Sequence, residues 1–93
     1  MEVENALRPD GDVVSRKVGD RLVVVNLRTN RIYELNRTAS RLWEFLETGR
    51  ERAELEQVML QEFDVHQPEL SKDIDQTLAL LSSEGLITEY DRA

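Results

Sequence analysis

The side chains best suited to chemistry in this 93-residue chain are a single histidine, His66, and two close carboxylate pairs, Glu54/Glu56 and Asp73/Asp75. Nucleophilic hydrolysis needs a base held against a serine, threonine or cysteine. His66 follows Val65 in a loop, with no acid spaced to orient it. The paired carboxylates lie two residues apart, so on a helix they point in different directions and read as solvated charge. The chain has no cysteine, which removes disulfides, thiolate nucleophiles and cysteine zinc sites. One histidine does not make a multi-histidine metal site, and no glycine-rich phosphate loop or metal-ligand spacing is present. The residues therefore predict a protein that is not an enzyme and that holds no metal or cofactor.

Charge narrows the partners. Nineteen Asp/Glu against twelve Lys/Arg leave a formal charge of -7. Residues 1–50 are nearly balanced, with nine bases and eight acids, whereas residues 51–93 hold three bases and eleven acids. An acidic surface of this kind repels nucleic-acid phosphate. Apolar runs are no longer than the four residues from Leu22 to Val25, far short of the roughly 20 that span a bilayer. The opening MEVENALRPD is acidic and lacks the zones of a secretion signal. The expected compartment is the cytoplasm, with no membrane and no nucleic-acid partner.

Apolar residues are 40% of the chain, enough for one small core. Residues 1–12 lack periodicity and end in the turn-forming Pro9-Asp10-Gly11-Asp12, which predicts a flexible lead-in. Val13 to Lys17 is a short strand, Gly19 turns the chain, and Arg21 to Leu27 is a β-branched strand that is apolar on both faces and suits a central place. Arg28-Thr29-Asn30 forms the next turn, and Arg31 to Leu35 is a half-polar third strand at an edge. Asn36 caps a helix in which Ala39, Leu42, Trp43 and Leu46 share one face, and Gly49 ends it. A second helix over Arg52 to Glu62 buries Leu55, Val58, Met59 and Phe63. Pro68 opens a third with Leu70, Ile74, Leu78 and Leu81 on its stripe, and Gly85 closes it. Leu86 and Ile87 return to the core, leaving residues 89–93 as a tail. The class is α+β and winged-helix-like, a three-stranded antiparallel sheet followed by three helices (βββααα), with the domain at 13–88.

Two features point to peptide binding. The RIYEL segment at an edge leaves backbone N–H and C=O groups open to an incoming extended chain. In the third helix, at 100° per residue, Leu80 falls at about 280° from Leu70. That places it outside the core stripe, beside Asp73 and Thr77. Of the aromatic residues, Trp43 and Tyr33 are read as core first, with Tyr33 also a candidate for a binding groove. A DNA-reading helix would need outward cations. The last helix offers only Lys72 against Glu69, Asp73, Asp75 and Glu84, and the middle one only Arg52.

The signature Tyr33-x-Leu35-Asn36-x-x-Ala39, Trp43, Leu46, Glu54-Leu55, Glu62-Phe63-Asp64-Val65, Asp73-Ile74, Leu78, Leu81 and Gly85-Leu86-Ile87 resembles the PqqD-like peptide chaperones, or RiPP recognition elements. Within them the chain most resembles the stand-alone leader-binding proteins of lasso-peptide biosynthesis. The resemblance covers about residues 13–88 and rests on packing and capping positions, which specify fold well and substrate poorly. It implies non-catalytic recognition of a precursor-peptide leader, added as an antiparallel strand on the third strand beside the third helix. The leader would then pass to a leader protease and a cyclase. It implies a binding site of Arg31, Ile32, Tyr33, Glu34 and Leu35 on the strand and Asp73, Gln76, Thr77 and Leu80 on the helix. Strand alternation with Tyr33 and Leu35 turned inward leaves Ile32 and Glu34 on the other face. The alternatives are a PqqD-type chaperone for a radical SAM enzyme and, in another class, a winged-helix regulator acting on DNA.

Overall fold

A computed structural model describes the backbone of residues 5–91 and the side chains of residues 7–88. Strand β1 spans Asn5–Pro9, β2 Val13–Val18, β3 Arg21–Asn26 and β4 Arg31–Leu35. Helices α1 (Arg37–Glu47), α2 (Arg52–Glu62) and α3 (Gln67–Ser83) follow, and β5 (Ile87–Asp91) closes the order. Strands β2, β3 and β4 form the expected antiparallel sheet in that order, with the three helices after it.

Each turn has a local cause. Val18 pairs with Arg21, which leaves a two-residue loop in which Gly19 takes φ 66°, a conformation that glycine adopts without strain. The β3–β4 turn is organised by Asn26. Its side-chain oxygen accepts from the N–H of Arg28 at 2.9 Å, and its carbonyl accepts from Asn30 at 2.8 Å. Strand β3 therefore ends at Asn26, one residue before the expected Leu27.

The core lies between the sheet and the helices. Leu22, Val24 and Leu35 meet Leu42, Trp43, Phe45 and Leu46 of α1, Leu55 and Met59 of α2, and Leu70, Ile74, Leu78 and Leu81 of α3. Trp43 is a core residue, 1% exposed. Only alternate residues of β3 are buried. It is central in the sheet, as its apolar run predicts, but helices cover one face and the other looks to solvent.

Two small side chains join α1 to the sheet. Asn36 accepts from the Ala39 N–H at 2.9 Å, capping the helix. Ser40 is buried, and its hydroxyl accepts from the Leu22 N–H at 2.8 Å while donating to the Leu35 carbonyl at 3.1 Å. One side chain thus bridges the first turn of a helix to facing ends of β3 and β4.

The expectation for the chain ends needs correction. Asn5–Pro9 is a strand, antiparallel to Ile87–Asp91, with Ala6 opposite Tyr90 and Pro9 opposite Ile87. The first twelve residues are therefore not a uniform lead-in, and the stretch after Ile87 is a strand rather than a loose tail. The ribbon packs against α1, with Leu7 against the core. Pairing across the length of the chain, not local pattern, makes these strands. Residues 1–4 and 92–93 of the expected lead-in and tail lie outside the described residues.

Replacing Ser40 by alanine leaves the buried Leu22 N–H without its acceptor. It is expected to cost about 1–3 kcal/mol, against about 0.5–2 kcal/mol for Asn36→Ala, which removes only a cap. Urea unfolding should show lowered midpoints with an unchanged slope; an unshifted Ser40→Ala midpoint would contradict the bridging role.

Candidate functional site

The ladder decides which groups β4 offers. In antiparallel pairing, facing residues alternate between those that exchange backbone hydrogen bonds and those that do not. Leu22 pairs with Leu35, Val24 with Tyr33 and Asn26 with Arg31. The Leu22 N–H and the Leu35 carbonyl point toward each other, with the Ser40 hydroxyl between them. The hydrogen-bonding groups of Arg31, Tyr33 and Leu35 thus face β3, and by alternation the N–H and C=O of Ile32 and Glu34 point out from the edge. No strand pairs with that side of β4 among the described residues. Two residues therefore present four backbone groups at the pitch of a β-ladder.

Helix α3 runs beside this edge. Ile32, Tyr33, Glu34 and Leu35 on the strand, Leu80 and Leu81 at the far end of α3, and Glu84 and Leu86 just past it line a cavity of about 410 Å³. A second depression of about 320 Å³ lies between Asn36, Thr38 and Ala39 at the start of α1 and Asp73, Gln76 and Thr77 on α3. Together they trace one α3 flank, apolar toward its C-terminus and polar toward its middle. Leu80 is 60% exposed and Ile32 70%. Both are apolar side chains held out of the core beside open backbone groups.

The residues expected at the site fall as follows. Leu35 is buried and Tyr33 packs partly against the core, while Ile32 and Glu34 occupy the other face of the strand. Leu80 shares the apolar depression with Ile32 to Leu35, and Asp73, Gln76 and Thr77 share the polar one. Glu34 pairs with Arg21 at 3.2 Å on the outer face of the sheet. Arg31 sits at the end, 3.6 Å from Glu84. The sequence reading missed Leu81, Leu86, Asn36, Thr38, Ala39 and above all Glu84. The readable signal for Glu84 was a carboxylate where the helix dipole favours a cation.

Electrostatics at the strand centre are simple. The Tyr33 hydroxyl donates to Glu84 Oε2 at 2.8 Å. Burial, and then the Glu84 carboxylate, hold the phenol above its ordinary ionisation range. His66 is exposed at the start of α3, and no group of three His, Cys, Asp or Glu among the described residues is placed to hold a metal ion. Among the same residues no helix is long and apolar enough to cross a membrane. Arg52, the cation of α2, is engaged by Glu56 at 3.3 Å and Asp75 at 2.8 Å, so it does not form a cationic reading face.

The Tyr33 environment fixes the sign of a pH effect. Above the ordinary tyrosine value of about 10, the unfolded phenol loses its proton before the folded one. The stabilisation is complete below that value and disappears as pH rises through the higher folded value. Denaturation at pH 9 and pH 11 should therefore show a larger loss of stability for the wild type than for Tyr33→Phe; equal losses would contradict the part-buried Tyr33–Glu84 bond.

Comparison with known proteins fits this geometry. No curated protein matches the chain. Among solved structures, TbiB1 in complex with the TbiA(beta) leader peptide matches with a TM-score of 0.84 and 28% identity, over 89% of this chain and 96% of that one. A lasso peptide synthetase B1 complexed with the leader peptide matches at 0.80 and 21% identity, over 88% and 96%, a likeness of fold. The family model of coenzyme PQQ synthesis protein D (PqqD) matches residues 21–87. That span holds β3, β4, all three helices and the start of β5, and the chain belongs to the PqqD family.

Proposed function

We propose that this protein binds the leader segment of a ribosomally made precursor peptide by strand addition to β4, and hands it without catalysis to a leader protease and a cyclase in lasso-peptide maturation. The binding unit is residues 13–88, and the setting is the cytoplasm, which suits a chain without cysteine. One observation carries the reading. The outward backbone groups of Ile32 and Glu34 lie open beside a cleft whose far wall is the exposed Leu80. The similarity to TbiB1, solved with a leader peptide, supports it.

The magnitudes suit recognition. Four ladder bonds at about 0.5–1.5 kcal/mol net contribute several kcal/mol, and two apolar anchors beside Leu80 add roughly 1.5–3 kcal/mol each. Ordering a flexible leader subtracts about 2–5 kcal/mol. The favourable end of that balance, about 8–10 kcal/mol, corresponds to affinities from micromolar to tens of nanomolar. Ladder bonds ignore side-chain identity, so the cleft must choose the leader: an apolar anchor toward Leu80, polar contacts toward Asp73, Gln76 and Thr77.

The test is titration of fluorescently labelled candidate leader peptides into the purified domain. Leu80→Asp should weaken binding by about tenfold or more while leaving the circular dichroism spectrum and melting temperature unchanged, because the side chain is exposed. Unchanged affinity in that variant would remove α3 from the site. Tight binding only of a precursor belonging to a radical SAM enzyme would move the protein to that pathway, and a salt-dependent shift of duplex DNA would favour the regulator instead.

A further inference from the structure

Glu84 breaks a rule of helix construction. It is the C-cap of α3, its N–H bonded to the Leu80 and Ser82 carbonyls, and the last turn holds no basic residue. A carboxylate at the negative end of a helix dipole is unfavourable. The chain turns away immediately, with Gly85 at φ 71°. Nothing in the helix itself calls for an acid here.

The reason lies across the cleft. Glu84 Oε2 accepts the Tyr33 hydroxyl at 2.8 Å and lies 3.6 Å from Arg31 Nη1. Arg31 and Tyr33 stand two apart on β4, so they project from the same face. A single carboxylate thus ties two positions of the open strand to the end of the helix that forms the opposite wall. The tie has a defined place along the cleft. β4 and α3 run in opposite directions here, since Arg31 and Tyr33 meet Glu84 while Asn36 and Thr38 meet Asp73 and Thr77. A leader added antiparallel to β4, the orientation that the family resemblance implies, begins beside Asn36 and Thr77 and leaves beside Arg31 and Glu84. The tie therefore stands at the exit, where the bound leader continues toward the part of the precursor that is processed.

Resting on the leader-binding reading above, we propose that Glu84 is a positioning residue for the leader: through Tyr33 and Arg31 it sets the spacing of β4 and α3 at the exit of the cleft and so fixes where the leader emerges. Its carboxylate lines the cleft, and its effect on the peptide comes through the strand that it holds. Glu84→Gln keeps an acceptor for Tyr33 and gives up the charge that faces Arg31. Glu84→Ala removes both.

Alanine scanning of the leader against wild type, Glu84→Gln and Glu84→Ala decides the matter. Glu84→Ala should bind about fivefold to fiftyfold more weakly and Glu84→Gln by an intermediate amount. The loss should be uneven. Alanine substitutions in the C-terminal half of the bound leader should cease to matter in Glu84→Ala, while those in the N-terminal half keep their full effect. The double variant Arg31→Gln/Tyr33→Phe removes the same contacts from the strand side, should give the same footprint, and serves if Glu84→Ala does not fold. A wild-type protein that binds its leader, with variants showing unchanged affinity or a loss spread evenly along the peptide, would overturn the positioning role while leaving strand addition intact. A wild type that binds no leader would overturn both.

Discussion

The exposed edge of β4 depends on the phase of its pairing with β3. Ser40 takes the Leu22 N–H and gives its own hydrogen to the Leu35 carbonyl, which closes the end of the β3–β4 ladder in the phase that the Asn26 turn and the buried Leu22, Val24 and Leu35 establish. Because side chains and backbone groups alternate together along a strand, that phase decides two things at once. Tyr33 and Leu35 point to the helices, and the amides of Ile32 and Glu34 point away from β3. A slip of one residue would exchange both sets, burying Ile32 and Glu34 and closing the outward groups. The pattern RIYEL permits either facing. Leu35 at the core and Ser40 in the first turn of α1 select one.

This explains which parts of the molecule were legible in the sequence. The helices were, because Leu42, Trp43 and Leu46 or Leu70, Ile74 and Leu81 carry their partner in their own spacing, and Asn36 is a local cap. Leu80 was legible for the opposite reason, as an apolar residue that the stripe does not absorb. The β1–β5 ribbon was not. Asn5–Pro9 has no alternation and ends in proline, and only its pairing with Ile87–Asp91 makes it a strand. Glu84 was legible only as a misplaced acid at a helix end, since its meaning comes from Arg31 and Tyr33 some fifty residues earlier, partners that only the fold brings together.

The division of the cleft follows from the same construction. Toward the end of α3, Leu80, Leu81 and Leu86 close around the strand and supply an apolar wall. Toward its middle the wall is Asp73, Gln76 and Thr77, opposite the cap of α1. Hydrophobic burial contributes most of the affinity in such an arrangement and discriminates poorly between side chains of similar size. Hydrogen-bonding groups discriminate better, because a wrong partner leaves them unpaired. The two ends of the cleft are thus suited to different tasks, holding at one and choosing at the other.

The tie at Glu84 belongs to this economy of weak forces. Arg31 is 69% exposed, and an ion pair in that setting contributes little stability. The Tyr33 bond is better shielded, but a neutral donor and an exposed helix end do not hold a fold together. The value of the contact is geometric. Peptide strands add to a sheet edge only where the neighbouring wall stands at the right distance, and a small displacement of that wall changes every side-chain contact along the added strand. A modest interaction placed at the mouth of a cleft therefore matters more to the ligand than to the protein, and a side chain that offends the helix it terminates marks where such a requirement has outweighed local stability.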